Sequence, residues 1–194
     1  MQLDQGDKGF SFSKEGPLDM RMDPDGRVTA KEIVNHYSEK KLGEIFRDFG
    51  EEPKWRKAAQ AIVQERKKRV IETTSQLVAI LKGIFGGRGR LHPATLVFQA
   101  LRIAVNKELD SIRLGISKAI HLLSKGGRIG VLSFHSLEDR IVKNLFKEAS
   151  FRKKKEEKIP LLKLLTKKPL GASPAEVREN PRARSAKLRF AEKT

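Results

Sequence analysis

The sequence predicts a mixed α/β protein: an all-helical portion, then a portion in which helices alternate with strands. Three observations carry this. Between Thr29 and Phe85, apolar residues recur at helical spacing in four successive runs, each bounded by a capping or breaking residue. Arg128-Ile-Gly-Val-Leu-Ser-Phe134 is a short, mostly apolar run set between two amphipathic stretches. Lys187-Leu-Arg-Phe-Ala191 alternates polar and apolar residues as a half-buried strand does.

Taken in order, Thr29 with Glu32 forms a capping-box pattern, and Ile33, Val34 and Tyr37 follow at helical spacing, so the first helix starts near Thr29. Ser38 caps a second, whose face is Leu42, Ile45, Phe46 and Phe49 and whose left-handed stop is Gly50. Pro53 suits the first turn of a third, with the stripe Trp55, Ala58, Ala59, Ile62 and Val63 and a closing basic run, Arg66-Lys-Lys-Arg69. A fourth begins after Thr73-Thr74 and uses Leu77, Val78, Leu81, Ile84 and Phe85 before Gly86-Gly87.

The loop Gly86-Gly-Arg-Gly-Arg90 lacks the Gly-Lys-Ser/Thr ending of a phosphate cradle and reads as a connector. Pro93 then opens a long or broken helical stretch from Val97 to Leu123, ended by Lys125-Gly126-Gly127. Arg128 to Phe134 has the character of a parallel strand covered on both faces. Ser136 with Asp139 predicts the capping box of the next helix, whose apolar face is Leu137, Ile141, Val142, Leu145 and Phe146. Leu161 to Leu170 is a strand candidate, and Ser173-Pro174 opens a short helix that Asn180-Pro181 ends.

Composition narrows the partners. Of 194 residues, 41 are Lys or Arg and 24 Asp or Glu, giving a formal charge of +17 that favours a polyanion, nucleic acid above all. The stretch from Phe151 to Thr194 alone carries +9. No apolar stretch approaches the roughly 20 residues needed to cross a bilayer, and the first residues lack the order of a signal peptide, so a cytoplasmic protein is expected. Zero cysteines exclude disulfides, thiolate catalysis and Cys-based zinc sites. The four histidines show no pair at metal-ligand spacing, and His92 before Pro93 reads as a helix-entry residue.

Several strings are more specific than any of these patterns. Gly9-Phe-Ser-Phe12, Gly16-Pro-Leu-Asp-Met-Arg-Met-Asp23, His92-Pro-Ala-Thr95, Phe98-Gln-Ala-Leu-Arg-Ile-Ala-Val-Asn106, Ser133-Phe-His-Ser-Leu-Glu-Asp-Arg-Ile-Val-Lys143 and Asn180-Pro-Arg-Ala-Arg-Ser-Ala-Lys187 occur in order along the chain. Together they resemble the bacterial ribosomal RNA small subunit methyltransferase H family, S-adenosyl-L-methionine-dependent enzymes that methylate the exocyclic amine of a cytosine in 16S rRNA. The resemblance implies the C-terminal half of a Rossmann-like methyltransferase sheet with an inserted all-α domain. Residues 1–8 would be a remnant of the first half, 9–89 the insert and 90–194 the second half of the catalytic domain.

The resemblance also assigns roles. Gln2 matches the last cofactor-contacting residue of the family's first half, while the Gly-Gly-His cofactor loop and the ribose-holding acidic residue have no counterpart here. Such a crevice forms outside the carboxyl ends of central strands, so weak or absent cofactor binding is expected of this chain alone, along with an unpaired edge on the strand from Arg128 to Phe134 and self-association. Ser133, His135, Ser136 and Asp139 follow that strand and are the site-lining candidates; the plainer alternative makes Ser136 and Asp139 a helix cap and His135 a loop residue. A cytosine amine is a poor nucleophile, so alignment of donor and acceptor carries the reaction. Arg182, Arg184, Lys187 and Arg21 are candidate RNA contacts, and Arg21 with Asp19 and Asp23 equally suits a loop-fixing salt bridge. The competing function is a basic RNA-binding or ribosome-assembly module without catalysis.

Overall fold

The computed structural model describes residues 8–85, 92, 94–150 and 160–194. Gln2, the connector loop, Pro93 and the basic run at 152–155 lie outside them. The chain divides into two compact units, Met1–Glu108 and Leu109–Thr194.

The first unit is helical, and its helices fall close to where the sequence places them: α1 (Ala30–His36), α2 (Glu39–Asp48), α3 (Trp55–Arg66), α4 (Thr74–Phe85) and α5 (Thr95–Asn106). Side chains cap two of them as expected, Thr29 accepting from the Glu32 amide and Ser38 from the Lys41 amide. Each helix turns its apolar stripe inward, so Ile33, Leu42, Phe46, Ile62, Leu77, Leu81 and Leu101 are fully buried in one core. The string Gly16 to Asp23 is threaded into this core. Leu18 and Met20 are buried, the Leu18 amide bonds the Glu72 carbonyl, and a Cβ on Gly9 would lie 1.9 Å from the Pro17 carbonyl oxygen.

One predicted stop differs in detail. The left-handed residue after α2 is Glu51 (φ 51°), not Gly50. Gly50 is needed for closeness instead: a Cβ there would lie 2.6 Å from the Leu96 carbonyl oxygen and 2.8 Å from that of Phe46. The long stretch after Pro93 is the broken alternative. It divides at Lys107, which adopts φ 50° between α5 and α6 (Glu108–Leu122).

The second unit is a small sheet with helices on one side. It comprises β1 (Arg128–Ser133), α7 (Ser136–Ser150), β2 (Leu162–Leu164), β3 (Leu170–Gly171), α8 (Pro174–Glu179), a 3-10 turn (Pro181–Ser185) and β4 (Lys187–Lys193), preceded by α6. The strand order is β1-β4-β2, and β3 also pairs with β4, every pairing being antiparallel. Hence β1 and β2 run parallel to each other on either side of a reversed β4. The Leu161 amide bonds the Ala149 carbonyl at 2.9 Å, which brings the start of β2 back to the end of α7.

The strand candidate Leu161–Leu170 is thus two short strands, and β1 is not covered on both faces. Ile129, Val131, Leu162 and Ala191 pack under Ile116, Ile120, Val142 and Phe146 of α6 and α7. Alternate residues point the other way, where Leu132 and Leu170 are each more than half exposed. On that face Gly130 lies against the Phe190 ring, and a Cβ there would fall 2.5 Å from it. Among the described residues β1 pairs on one side only, so its outer edge has unpaired backbone groups.

Candidate functional site

The two strings that carry the resemblance most strongly, Ser133 to Lys143 and Asn180 to Lys187, are brought together by β1–β4 pairing. Ser133 at the end of β1 faces Lys187 at the start of β4, and its buried hydroxyl donates to the Lys187 carbonyl at 3.2 Å. α7 starts immediately after β1. Its first turn and the start of β4 therefore share one corner of the sheet.

The cap at that corner is shifted one residue from its predicted position. The first intrahelical bond runs from the Asp139 amide to the His135 carbonyl, which makes His135 the capping residue. Glu138 reaches back to the amides of Phe134 (2.7 Å) and His135 (3.3 Å), while the Glu138 amide points at His135 Nδ1 (3.4 Å). This is the reciprocal arrangement of a capping box, built on His135 and Glu138 rather than on Ser136 and Asp139. Burial pushes the Glu138 carboxyl up, but the His135 ring and the Phe134 and His135 amides outweigh it and hold the group below the ordinary glutamate range. His135 Nε2 is buried 3.2 Å from Glu138 Oε1, without hydrogen-bond geometry.

Asp139 is released from capping and does something else. Arg189 of β4 donates to both of its oxygens, Nε at 2.7 Å and an Nη at 3.1 Å, and both side chains are about nine-tenths buried. Lys187 Nζ stands 3.7 Å away on the more open side. The bidentate hydrogen bond from Arg189 holds the Asp139 carboxyl below its usual range against the opposing push of burial. Neither Glu138 nor Arg189 was singled out from sequence. The signal for Glu138 was a His-x-x-Glu spacing; for Arg189 it was the parity of β4, which places that residue on the helix-covered face with Ala191.

The remaining candidates separate. Arg182 and Arg184 are exposed on the 3-10 turn, which Asn180 caps by accepting from the Arg182 amide while Ala183 is buried beneath. Ser136 is exposed. Arg21, in the first unit, directs its donors inward: two to Asp19, one each to the carbonyls of Pro24 and Gly26. That is the loop-fixing arrangement, and the hydrogen bond from Arg21 lowers the Asp19 pKa. His92 acts at a helix entry, its Nδ1 accepting from the Ala94 amide, and its ring stacks on Phe12 at 4.4 Å.

A cofactor with ribose hydroxyls asks for a carboxylate at a strand end. Here Glu138 is engaged by amides and Asp139 by Arg189. Both carboxylates that follow β1 are thus engaged in holding this corner together.

The model of the MraW methylase family matches residues 1–194. The chain belongs to that family. It is 52% identical over 207 residues to a ribosomal RNA small subunit methyltransferase H of Protochlamydia amoebophila, covering 99% of this chain and 64% of the relative. Like-named proteins of Persephonella marina (50% identical; 96% of this chain, 62% of the relative) and Synechocystis sp. (53%; 99% and 60%) are similar to it. The chain thus spans less than two thirds of the length of these MraW relatives. No helix among the described residues is long and apolar enough to cross a membrane.

Proposed function

We propose that this chain contributes the acceptor side of a methyltransferase that modifies the exocyclic amine of a cytosine in the 16S rRNA of the small ribosomal subunit. The observation that supports this best is the family match over the whole chain, joined to the corner at which Ser133, His135 and the Asn180–Lys187 string converge. S-adenosylmethionine supplies the methyl group in this reading and takes most of its grip from walls beyond the described residues, with Gln2 as one contact. The insert at 9–89 and the catalytic remainder at 90–194 form the proposed domain plan.

Within this reading the roles divide between groups that face the RNA and groups that support them. Ser133, His135 and Ser136 present the strand end and first helical turn to the acceptor base, while Asp139 and Arg189 fix that turn on β4. Arg182, Arg184 and Lys187 offer cations to the RNA backbone, and Arg21 shapes a loop of the insert. The action is cytoplasmic.

The test is a chimera that joins the upstream segment of the Protochlamydia relative to this chain. It should transfer tritiated methyl from S-adenosylmethionine to 16S rRNA in unmodified small subunits, whereas this chain alone should give no saturable heat with the cofactor. A folded chimera that binds S-adenosylmethionine yet methylates no rRNA would overturn the proposal. The engaged carboxylates at the β1 end favour a second reading, a non-catalytic RNA-binding module, and in that case the chain alone retains RNA affinity while the chimera shows no transfer.

A further inference from the structure

We infer that the α2–α3 face of the helical unit, centred on Trp55, is a docking surface for single-stranded RNA. The inference rests on the RNA reading above but concerns a unit to which that reading assigns no primary contact. Trp55 opens α3 and is half-buried. Its ring packs on the backbone of α2 at Gly43, where a Cβ would lie 2.7 Å from two ring carbons, so the ring is held in a fixed plane. The Arg56 guanidinium lies 4.1 Å from the ring centroid and that of Arg47 lies 5.5 Å from it. Lys54, the neighbouring residue, places its ammonium 5.8 Å from the Phe85 ring. All four cation–π contacts among the described residues fall in this unit, the fourth being Lys41 on Tyr37 at 4.1 Å.

The cations differ in availability. Arg47 is held by both oxygens of Asp48, at 2.6 and 2.8 Å, so its charge is largely offset. Arg56 and Lys57 are exposed and have no carboxylate partner among the described residues. An arginine lying on a fixed indole is a flat, positively charged platform: its outer face stacks on a base and its edge bonds a phosphate, whatever the base. A duplex hides its base faces from such a platform. A membrane needs an apolar patch, whereas among the described residues of this unit the exposed large apolar ones are Met22 and Val70 alone.

Trp55 is also the protein's only tryptophan, so it reports on its own surface. The experiment titrates the full chain with a fluorescein-labelled single-stranded RNA of mixed sequence, reading RNA anisotropy and Trp55 emission together. Saturable quenching at the anisotropy midpoint is expected. Arg56→Ala with Lys57→Ala, checked for an unchanged circular dichroism spectrum, should weaken binding about tenfold. The same variant should make the salt dependence shallower by about 0.7 for each phosphate it no longer neutralises. Arg182→Ala with Arg184→Ala should lower affinity while leaving Trp55 quenching at saturation intact. If the RNA binds with unchanged Trp55 emission and the Arg56/Lys57 variant behaves as the parent, this surface is refuted while the RNA reading stands. If no RNA binds at all, the RNA reading itself fails. Equal quenching by poly-glutamate would overturn the assignment in favour of a generic anion surface.

Discussion

Among the described residues of the first unit nearly every large apolar side chain is inside and two, Met22 and Val70, are exposed; among those of the second, eight are exposed, Leu122, Leu132, Phe134 and Leu170 included. Helices that follow one another in sequence close a core by packing stripe on stripe, and five of them suffice. A sheet has two faces and needs a layer on each. Here α6 and α7 cover one face and leave Leu132, Leu170, Leu188 and Phe190 on the other. The contrast locates the second unit's stability in few places: one helix-covered face and the Asp139–Arg189 pair.

The sharpest way to break the contrast is to hollow out the closed core. Phe46→Ala should destabilise the first unit by about 4 kcal/mol, read by denaturant unfolding through Trp55 emission, with the strand signal of the second unit following its own transition. Asp139→Asn attacks the other side. Removing one partner of a buried pair should lower the second unit's stability by about 3 kcal/mol. The sign with pH follows from the depressed carboxyl: its contribution is fully present above the ordinary aspartate value of about 3.9 and lost as pH falls through the lower folded value. Unfolding curves measured from neutral pH to pH 2 should show this acid loss in the parent and lack it in Asp139→Asn.

A smaller effect sharpens the reading of the bare face. Leu132→Lys with Leu170→Lys should reduce self-association, each leucine withdrawing about 2 kcal/mol of burial from the contact, as followed by light scattering across a dilution series. If the parent is already monomeric at high concentration, the bare face has no such role. Smallest of all are the caps. Thr29→Ala should cost the first unit about 1 kcal/mol; Ser173→Ala should only fray α8, which buries none of its residues, leaving the denaturation midpoint in place.

Most helices were legible because their information is local: Thr29 and Ser38 announce starts, and stripes such as Ala58, Ala59 and Ile62 announce the buried face. The left-handed Lys107 was not, since nothing in its chemistry asks for that conformation. The sheet was legible as strands but not as pairings. Whether Arg128–Phe134 is central or at an edge depends on what lies beside it, and its apolar run carries no such information. At the candidate site, the motif Ser133–Lys143 pointed to the right corner, while the shift of the cap from Ser136 and Asp139 to His135 and Glu138 depended on Arg189, 50 residues further on, claiming Asp139.

The bond between the Leu161 amide and the Ala149 carbonyl has a practical side. It holds the last turn of α7 and the start of β2 as fixed neighbours, so the two elements meet at one joint. Because the sequence has no cysteine, Glu148→Cys with Lys163→Cys would put a dye pair across this joint and report whether helix and strand stay together when the sheet opens.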